Sequence, residues 1–242
     1  MQEKNINILS AKQIDETLIR QAFAEHIQID AINFIETKTV DDFSVTTKIK
    51  QYADEKITAL FTSVNAVNAV FSSIDKKPEW KIFCISGATK NALSNIINET
   101  KIIGTADNAS ALADKIVENT TVKSCVFFCG NQRLNTLPDK LLRQNIHLEE
   151  LVVYRTIPAP KKIEKQYDGI LFFSPSAVES FFSVNKIDNK TVLFSIGKTT
   201  TKAIRKFTNN QIITAQFPAA ESVVKEVKRF MNDDFSPLSS TL

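Results

Sequence analysis

A chain of 242 residues, 43% hydrophobic and 24% charged, has an ordinary globular make-up and room for one large or two small domains. Its net charge of +3 is too small to argue for nucleic acid, and no run approaches the roughly 18–20 apolar residues of a membrane span. Met1–Ile8 is polar and lacks the apolar stretch of a secretory signal. The three cysteines (Cys84, Cys125, Cys129) sit in apolar runs, as small hydrophobes do in a reducing cytoplasm.

In chain order, Ile6–Leu9 reads as a short strand and Ser10 or Gln13 to Glu25 as an amphipathic helix carrying Ile14, Leu18, Ala22 and Phe23. Ile27–Ile35 is extended, and Ser44–Ala53 has a helical pattern. Leu60–Phe71 then gives a buried strand turning into a helix. A strand Lys81–Ser86, a helix Thr89–Ile97, a short strand Lys101–Ile103 and a helix Asn108–Asn119 follow. Ser124–Cys129 is another buried strand, turned by Gly130-Asn131 into a helix over Leu137–Gln144. Leu148–Ile157 is extended and stops at Pro158 and Pro160. The lysine-rich Lys161–Lys165 is a solvated surface. Beyond Asp168 come strand, helix, strand, helix, a strand Gln211–Ala215 and a helix Glu221–Met231; the polar Asn232–Leu242 is expected to fray.

The chain repeats itself. Leu171-Phe172-Phe173-Ser174, followed by a helical apolar pattern through Phe182, copies Leu60-Phe61-Thr62-Ser63 and its continuation to Phe71 at an offset of 111 residues. Each serine falls where an N-cap belongs. The next units match too: Ile82–Thr89 ahead of one helix, Val192–Thr199 ahead of another. Strands alternating with helices imply two related α/β domains with parallel sheets. The middle holds three strand–turn–helix units and the region after Pro158 only two. The N-terminal strand and helix would supply the missing one. The expectation is therefore a discontinuous domain, 1–34 plus 157–242, with 36–153 inserted and two extended crossings near 34–37 and 152–156.

Several chemistries lack support. There is no GxGxxG and no GxxxxGK[ST]. His26 and His147 have no neighbouring ligands and read as surface histidines, and Cys125 and Cys129, four apart in a strand, lack zinc geometry. No metal site is expected. Ser63 and Ser174 have no GxSxG context and no base. What remains is hydroxyls and turns at helix starts: Ser63, Thr89, Ser174, Ser176, Thr199 and Thr200, with Gly87, Gly130 and Gly197 among only five glycines. Helix N-termini offer free N–H groups and a positive dipole end to carboxylate or phosphate. Taken singly, such residues are better explained as caps. Their recurrence at the same sheet end in both halves favours a polyanion site, lined from both sides of a cleft. Tyr154, in the extended Val152–Thr156, is either a packed strand aromatic or a phenol able to donate a proton to substrate.

Together, Phe61-Thr62-Ser63 with Asn65-Ala66-Val67, Gly87 with Thr89, Val153-Tyr154-Arg155-Thr156, Phe173-Ser174-Pro175-Ser176-Ala177-Val178 and Ile196-Gly197-Lys198-Thr199-Thr200 resemble the uroporphyrinogen-III synthase family over nearly the whole chain. The resemblance implies two α/β domains joined by a two-stranded linker, one domain discontinuous. It implies cyclisation of hydroxymethylbilane with inversion of ring D and loss of water, with no metal or organic cofactor. The substrate is a polycarboxylate, for which Ser63, Thr89, Gly130, Asn131, Ser174, Ser176, Gly197, Lys198, Thr199 and Thr200 would be the binding set. Tyr154 matches the family tyrosine that assists departure of the hydroxyl. Many members begin Leu-x-Thr-Arg-Pro, where this chain has Leu9-Ser10-Ala11-Lys12; a lysine there supplies charge but not a bidentate fork. Many also carry Arg-Gly where Cys129-Gly130 stands, which leaves the Gly130 and Asn131 amides as contacts. The expected protein is a cytoplasmic monomer acting on a small molecule, with no nucleic acid and no membrane. The alternative is a two-domain protein that binds an anionic small molecule and catalyses nothing. A flavodoxin-like electron carrier fits less well, for want of a phosphate-binding loop.

Overall fold

The computed structural model describes residues 6–22 and 27–234. Along the chain run β1 (Ile6–Ser10), α1 (Glu16–Ala22), β2 (Ile27–Ala31), β3 (Ile35–Thr39), α2 (Phe43–Asp54), β4 (Thr58–Phe61), α3 (Val64–Phe71), β5 (Lys81–Ile85) and α4 (Ala88–Ser94). There follow β6 (Ile102–Ala106), α5 (Ala109–Glu118), β7 (Ser124–Gly130), α6 (Thr136–Arg143), β8 (His147–Pro158), β9 (Gly169–Phe172), α7 (Pro175–Phe182), β10 (Val192–Ser195), α8 (Lys198–Ile204), β11 (Ile212–Thr214) and α9 (Ala220–Asp234). The chain divides into two compact units, Met1–Glu36 with Pro158–Leu242, and Thr37–Ile157. β3 and β8 carry the backbone across the two divisions.

The first unit holds a five-stranded sheet in the order β11-β10-β9-β1-β2, and the second contributes to a six-stranded sheet in the order β3-β8-β7-β4-β5-β6. The pairings β1–β2, β1–β9, β9–β10 and β10–β11 are parallel, as are β4–β5, β4–β7, β5–β6 and β7–β8. Leaving β3 aside, the order β6-β5-β4-β7-β8 corresponds strand for strand to β11-β10-β9-β1-β2. The repeat is thus a circular permutation: β7 and β8 close the inserted unit, and their counterparts β1 and β2 open the chain. In each sheet the order reverses between the duplicated strand and its permuted neighbour, β4 beside β7 and β9 beside β1. Open α/β sheets bind ligands beyond the strand C-termini at such a switch.

Both sheets are covered on both faces, so their strands read as unbroken apolar runs. In the second unit Phe61, Trp80 and Phe128 stack with ring centroids 5.2 Å (Phe61–Phe128) and 5.3 Å (Trp80–Phe128) apart, and the Trp80 indole donates to the Tyr52 carbonyl at 2.7 Å. Leu60, Phe83, Phe127 and Leu112 fill the other face. In the first unit Phe34, Phe172 and Phe181 pack edge to face under one side, and Ile8, Phe194 and Val224 under the other.

Three local expectations change. The first helix begins only at Glu16, and Phe23 and His26 lie outside the described residues. The extended segment after it is two strands that belong to different sheets, with the fully buried Phe34 between them. The strand expected at Lys101–Ile103 starts at Ile102, after a 3-10 turn Glu99–Lys101 that Asn98 caps, and continues to Ala106.

Candidate functional site

The residues singled out in the sequence gather at the C-terminal ends of the parallel strands, within each unit separately. Ser63 follows β4 in extended backbone, and its hydroxyl accepts from the Asn65 amide at 3.1 Å. Ser174 follows β9 in the same conformation, and its hydroxyl accepts from the Ala177 amide at 3.2 Å and lies 3.1 Å from that of Ser176. Both serines are therefore working N-caps, with Pro175 preset for the first turn of α7.

The next strands end differently. α4 and α8 begin at Gly87 and Gly197, and neither helix has a side-chain cap. Gly87 has φ of 74°, a left-handed conformation that favours glycine. Gly197 is extended, and a Cβ there would meet open space, as it would at Gly87. Among the described residues, nothing within 4 Å of such a Cβ demands glycine at 197. Lys198 and Thr199 are exposed, whereas Thr200 and Thr89 are buried, at 1% and 5% exposure. Helical periodicity turns those two side chains towards the core instead of the solvent. A hydroxyl network that the sequence reading missed braces the Gly197 turn. Thr201 lies 2.6 Å from the Ser195 hydroxyl and 2.7 Å from that of Thr214, and donates to the Gly197 carbonyl at 3.2 Å.

At the switch point of the first unit, Lys12 stands just past β1 with its ammonium 4.4 Å from the centre of the Phe173 ring, beside Ser174. The Ser10 hydroxyl donates to the Lys12 carbonyl at 2.5 Å. The cation at this position is held by a ring face, a geometry open to an ammonium without any fork.

At the switch point of the second unit lie Gly130, Asn131 and Tyr154. The Asn131 amide donates to the Tyr154 carbonyl at 3.3 Å. Its side-chain oxygen accepts from the Thr156 amide at 2.8 Å. The Asn131 amide is thus already used within the fold. Arg133 forms a two-pronged ion pair with Glu150 and also reaches Asn135, tying the loop after β7 to β8. Hydrogen bonding to Glu150 raises the Arg133 pKa further.

Cys84, Cys125 and Cys129 are buried and free. Burial pushes their thiols up to about 11, 12 and 11, so no reactive thiolate forms near neutrality. Among the described residues no group of three or more histidine, cysteine or acidic side chains could hold a metal. No helix among them is long and apolar enough to cross a membrane. His147 is exposed.

Fold and site define a class: two permuted parallel α/β units, each presenting hydroxyls and helix N-termini at the ligand-binding end of its sheet. Residues 16–225 match the protein-family model described as uroporphyrinogen-III synthase HemD. With a match of that extent, the chain belongs to the uroporphyrinogen-III synthase family. Among solved structures, it is similar to the uroporphyrinogen-III synthetase of Helicobacter pylori, with 16% identity and a TM-score of 0.67 over 93% of this chain and 99% of that one. It is also similar to a mutant uroporphyrinogen III synthase of Thermus thermophilus, with 13% identity and a TM-score of 0.60 over 95% and 100%. At those identities the structural likeness speaks to the fold. The chain matches no curated protein sequence.

Proposed function

We propose that the chain is a cyclising hydro-lyase that converts hydroxymethylbilane to uroporphyrinogen III and water. Membership of the family over residues 16–225 carries this reading. The departing hydroxyl of the bilane takes a proton and leaves as water. The resulting azafulvene is attacked to give a spiro intermediate, which fragments and recloses with ring D inverted. Tyr154 donates a hydrogen bond or proton to the departing hydroxyl. Because the bilane ionises readily by itself, the phenol assists more than it enables. The protein's larger task is to hold one folded bilane geometry against closure to the uninverted isomer, and held geometry supplies several kcal/mol in such a choice.

The carboxylates of the substrate would be met by Ser63, Ser174, Ser176, Lys198 and Thr199, and by the uncapped first-turn amides after Gly87 and Gly197. Open space at Gly197, with no conformational need for glycine, supports close approach of a ligand to that backbone. Thr89 and Thr200 then act through their amides, and Lys12 adds charge at the first unit's switch point. No cofactor enters this scheme, and the buried free thiols suit a cytoplasmic location.

The test is direct. Supplied with hydroxymethylbilane, the protein should yield mainly isomer III after oxidation and separation of the products. Folded protein that gives isomer I alone would leave only a non-catalytic binder of anionic small molecules.

A further inference from the structure

β7 and β8 pair in regular register from Ser124↔His147 to Cys129↔Val152, after which the register shifts and Gly130 pairs with Tyr154. β8 therefore spends one extra residue at the step where β7 ends. In a strand, successive side chains alternate faces, and one inserted residue reverses the phase of everything beyond it. The packing records that reversal. Leu151 lies on the Phe61–Phe128 face and Val152 on the opposite one. Val153 and Tyr154 then both pack on the Phe61–Phe128 face. Without the bulge, Tyr154 would point into the other layer.

The bulge brings the ring over the backbone of Gly130. A Cβ at that position would lie 2.4 Å from Tyr154 Cζ, 2.6 Å from Cε2 and 2.7 Å from the phenolic oxygen, where ordinary contact begins at 3.4 Å. The end of the phenol that carries the hydroxyl rests in the space of the missing side chain. Asn131 holds the strand just beyond that seat. Its amide takes the Tyr154 carbonyl, its side-chain oxygen takes the Thr156 amide, and its side-chain nitrogen reaches the Thr156 carbonyl at 3.4 Å. An asparagine side chain here extends the ladder beyond the end of β7.

We propose that Gly130 and Asn131 are positioning residues for Tyr154: the bare Cα of Gly130 seats the phenol, and the Asn131 side chain, bonded to the Thr156 backbone, locks the bulged strand that aims it. This rests on Tyr154 as the group that assists hydroxyl departure. Any side chain at 130 displaces the ring by about 1 Å, a misplacement that costs up to about 10²-fold in rate. The loss cannot exceed that of removing the phenolic hydroxyl.

The test compares Gly130→Ala, Tyr154→Phe and the double variant by single-turnover formation of isomer III, alongside a crystal structure of Gly130→Ala. Expected are a displaced Tyr154 ring, a fall in kcat matching that of Tyr154→Phe with KM within about twofold, and a double variant no slower than Tyr154→Phe, because coupled residues are not additive. A structure in which β7 moves and the ring stays would overturn the seat, as would wild-type kcat in Gly130→Ala or fully additive losses. Should Gly130→Ala fail to fold, Asn131→Ala is expected to lower kcat, and Asn131→Asp, which keeps the acceptor for Thr156, to restore it. Wild-type kcat in Asn131→Ala would overturn the lock. If the ring moves as expected while wild-type protein makes only isomer I, the enzymatic reading fails and the seat stands.

Discussion

Ser63 and Ser174 each cap a helix and each belong to the set assigned to substrate carboxylates, and aspartate separates the two roles. Alanine removes an acceptor 3.1 Å from the Asn65 amide or 3.2 Å from the Ala177 amide. Such a loss costs about 1 kcal/mol, or about 2–4 °C in Tm for a chain of this size. Aspartate caps as well as serine does, and its charge at the positive end of the helix adds roughly 0.3–1 kcal/mol of stability. The same charge repels a carboxylate seated over that helix. At about 4 Å the repulsion is about 1 kcal/mol in water and about 4 kcal/mol at the effective dielectric of a protein surface. Ser63→Asp and Ser174→Asp should therefore keep or raise Tm while weakening product binding by roughly five-fold to several hundred-fold, an effect that shrinks as salt is added. Thermal melts and calorimetric titration with product, in low and moderate salt, measure both quantities. Wild-type affinity in both aspartate variants would show that no substrate carboxylate lies over these helices and would return the serines to capping alone.

Tyr154→Phe should lower kcat by no more than about 10²-fold, the lower end of what a general acid contributes, with Tm unchanged; an unaltered rate would make Tyr154 a packing residue. Thr199→Val should weaken product binding with little change in Tm, because Thr199 is exposed; intact binding would remove it from the site. A third expectation concerns acid stability. Hydrogen bonds from Lys165 and Tyr167 hold the Asp30 carboxyl below its usual range, so its stabilisation is complete above the unfolded value of about 3.9 and is lost as pH falls through the lower native value. The destabilisation caused by Asp30→Asn, read from urea unfolding, should therefore shrink below about pH 4, and a cost that stays constant to pH 2 would contradict it.

Much of the fold was legible because its signals are local. Leu60–Phe61 and Leu171–Phe172 are unbroken apolar strands, since both faces of their sheets are covered. The serines that follow mark helix starts by cap chemistry alone. The permutation was half visible: the sequence repeat shows that β4 and β5 match β9 and β10, but no repeat links β7 and β8 to β1 and β2, because similar packing tolerates dissimilar apolar residues. Thr199 and Thr200 were indistinguishable as letters. Which of the two faces water depends on the phase of α8 over its sheet.

By itself the sequence determined the α/β class and the duplicated strand–serine–helix units, which follow from short-range periodicity and capping, while the candidate residues drew also on the family resemblance. Only the tertiary structure decided where those residues point. Asn131 reads as a turn residue with a free amide, yet pairing with β8 consumes that amide and puts its side chain to work on Thr156. Gly130 reads as a helix-start glycine, yet its role is to leave room for a ring 24 residues away in the chain. The phase of Tyr154 is set by one extra residue in β8, and a bulge is a relation between two strands that neither strand's own pattern contains.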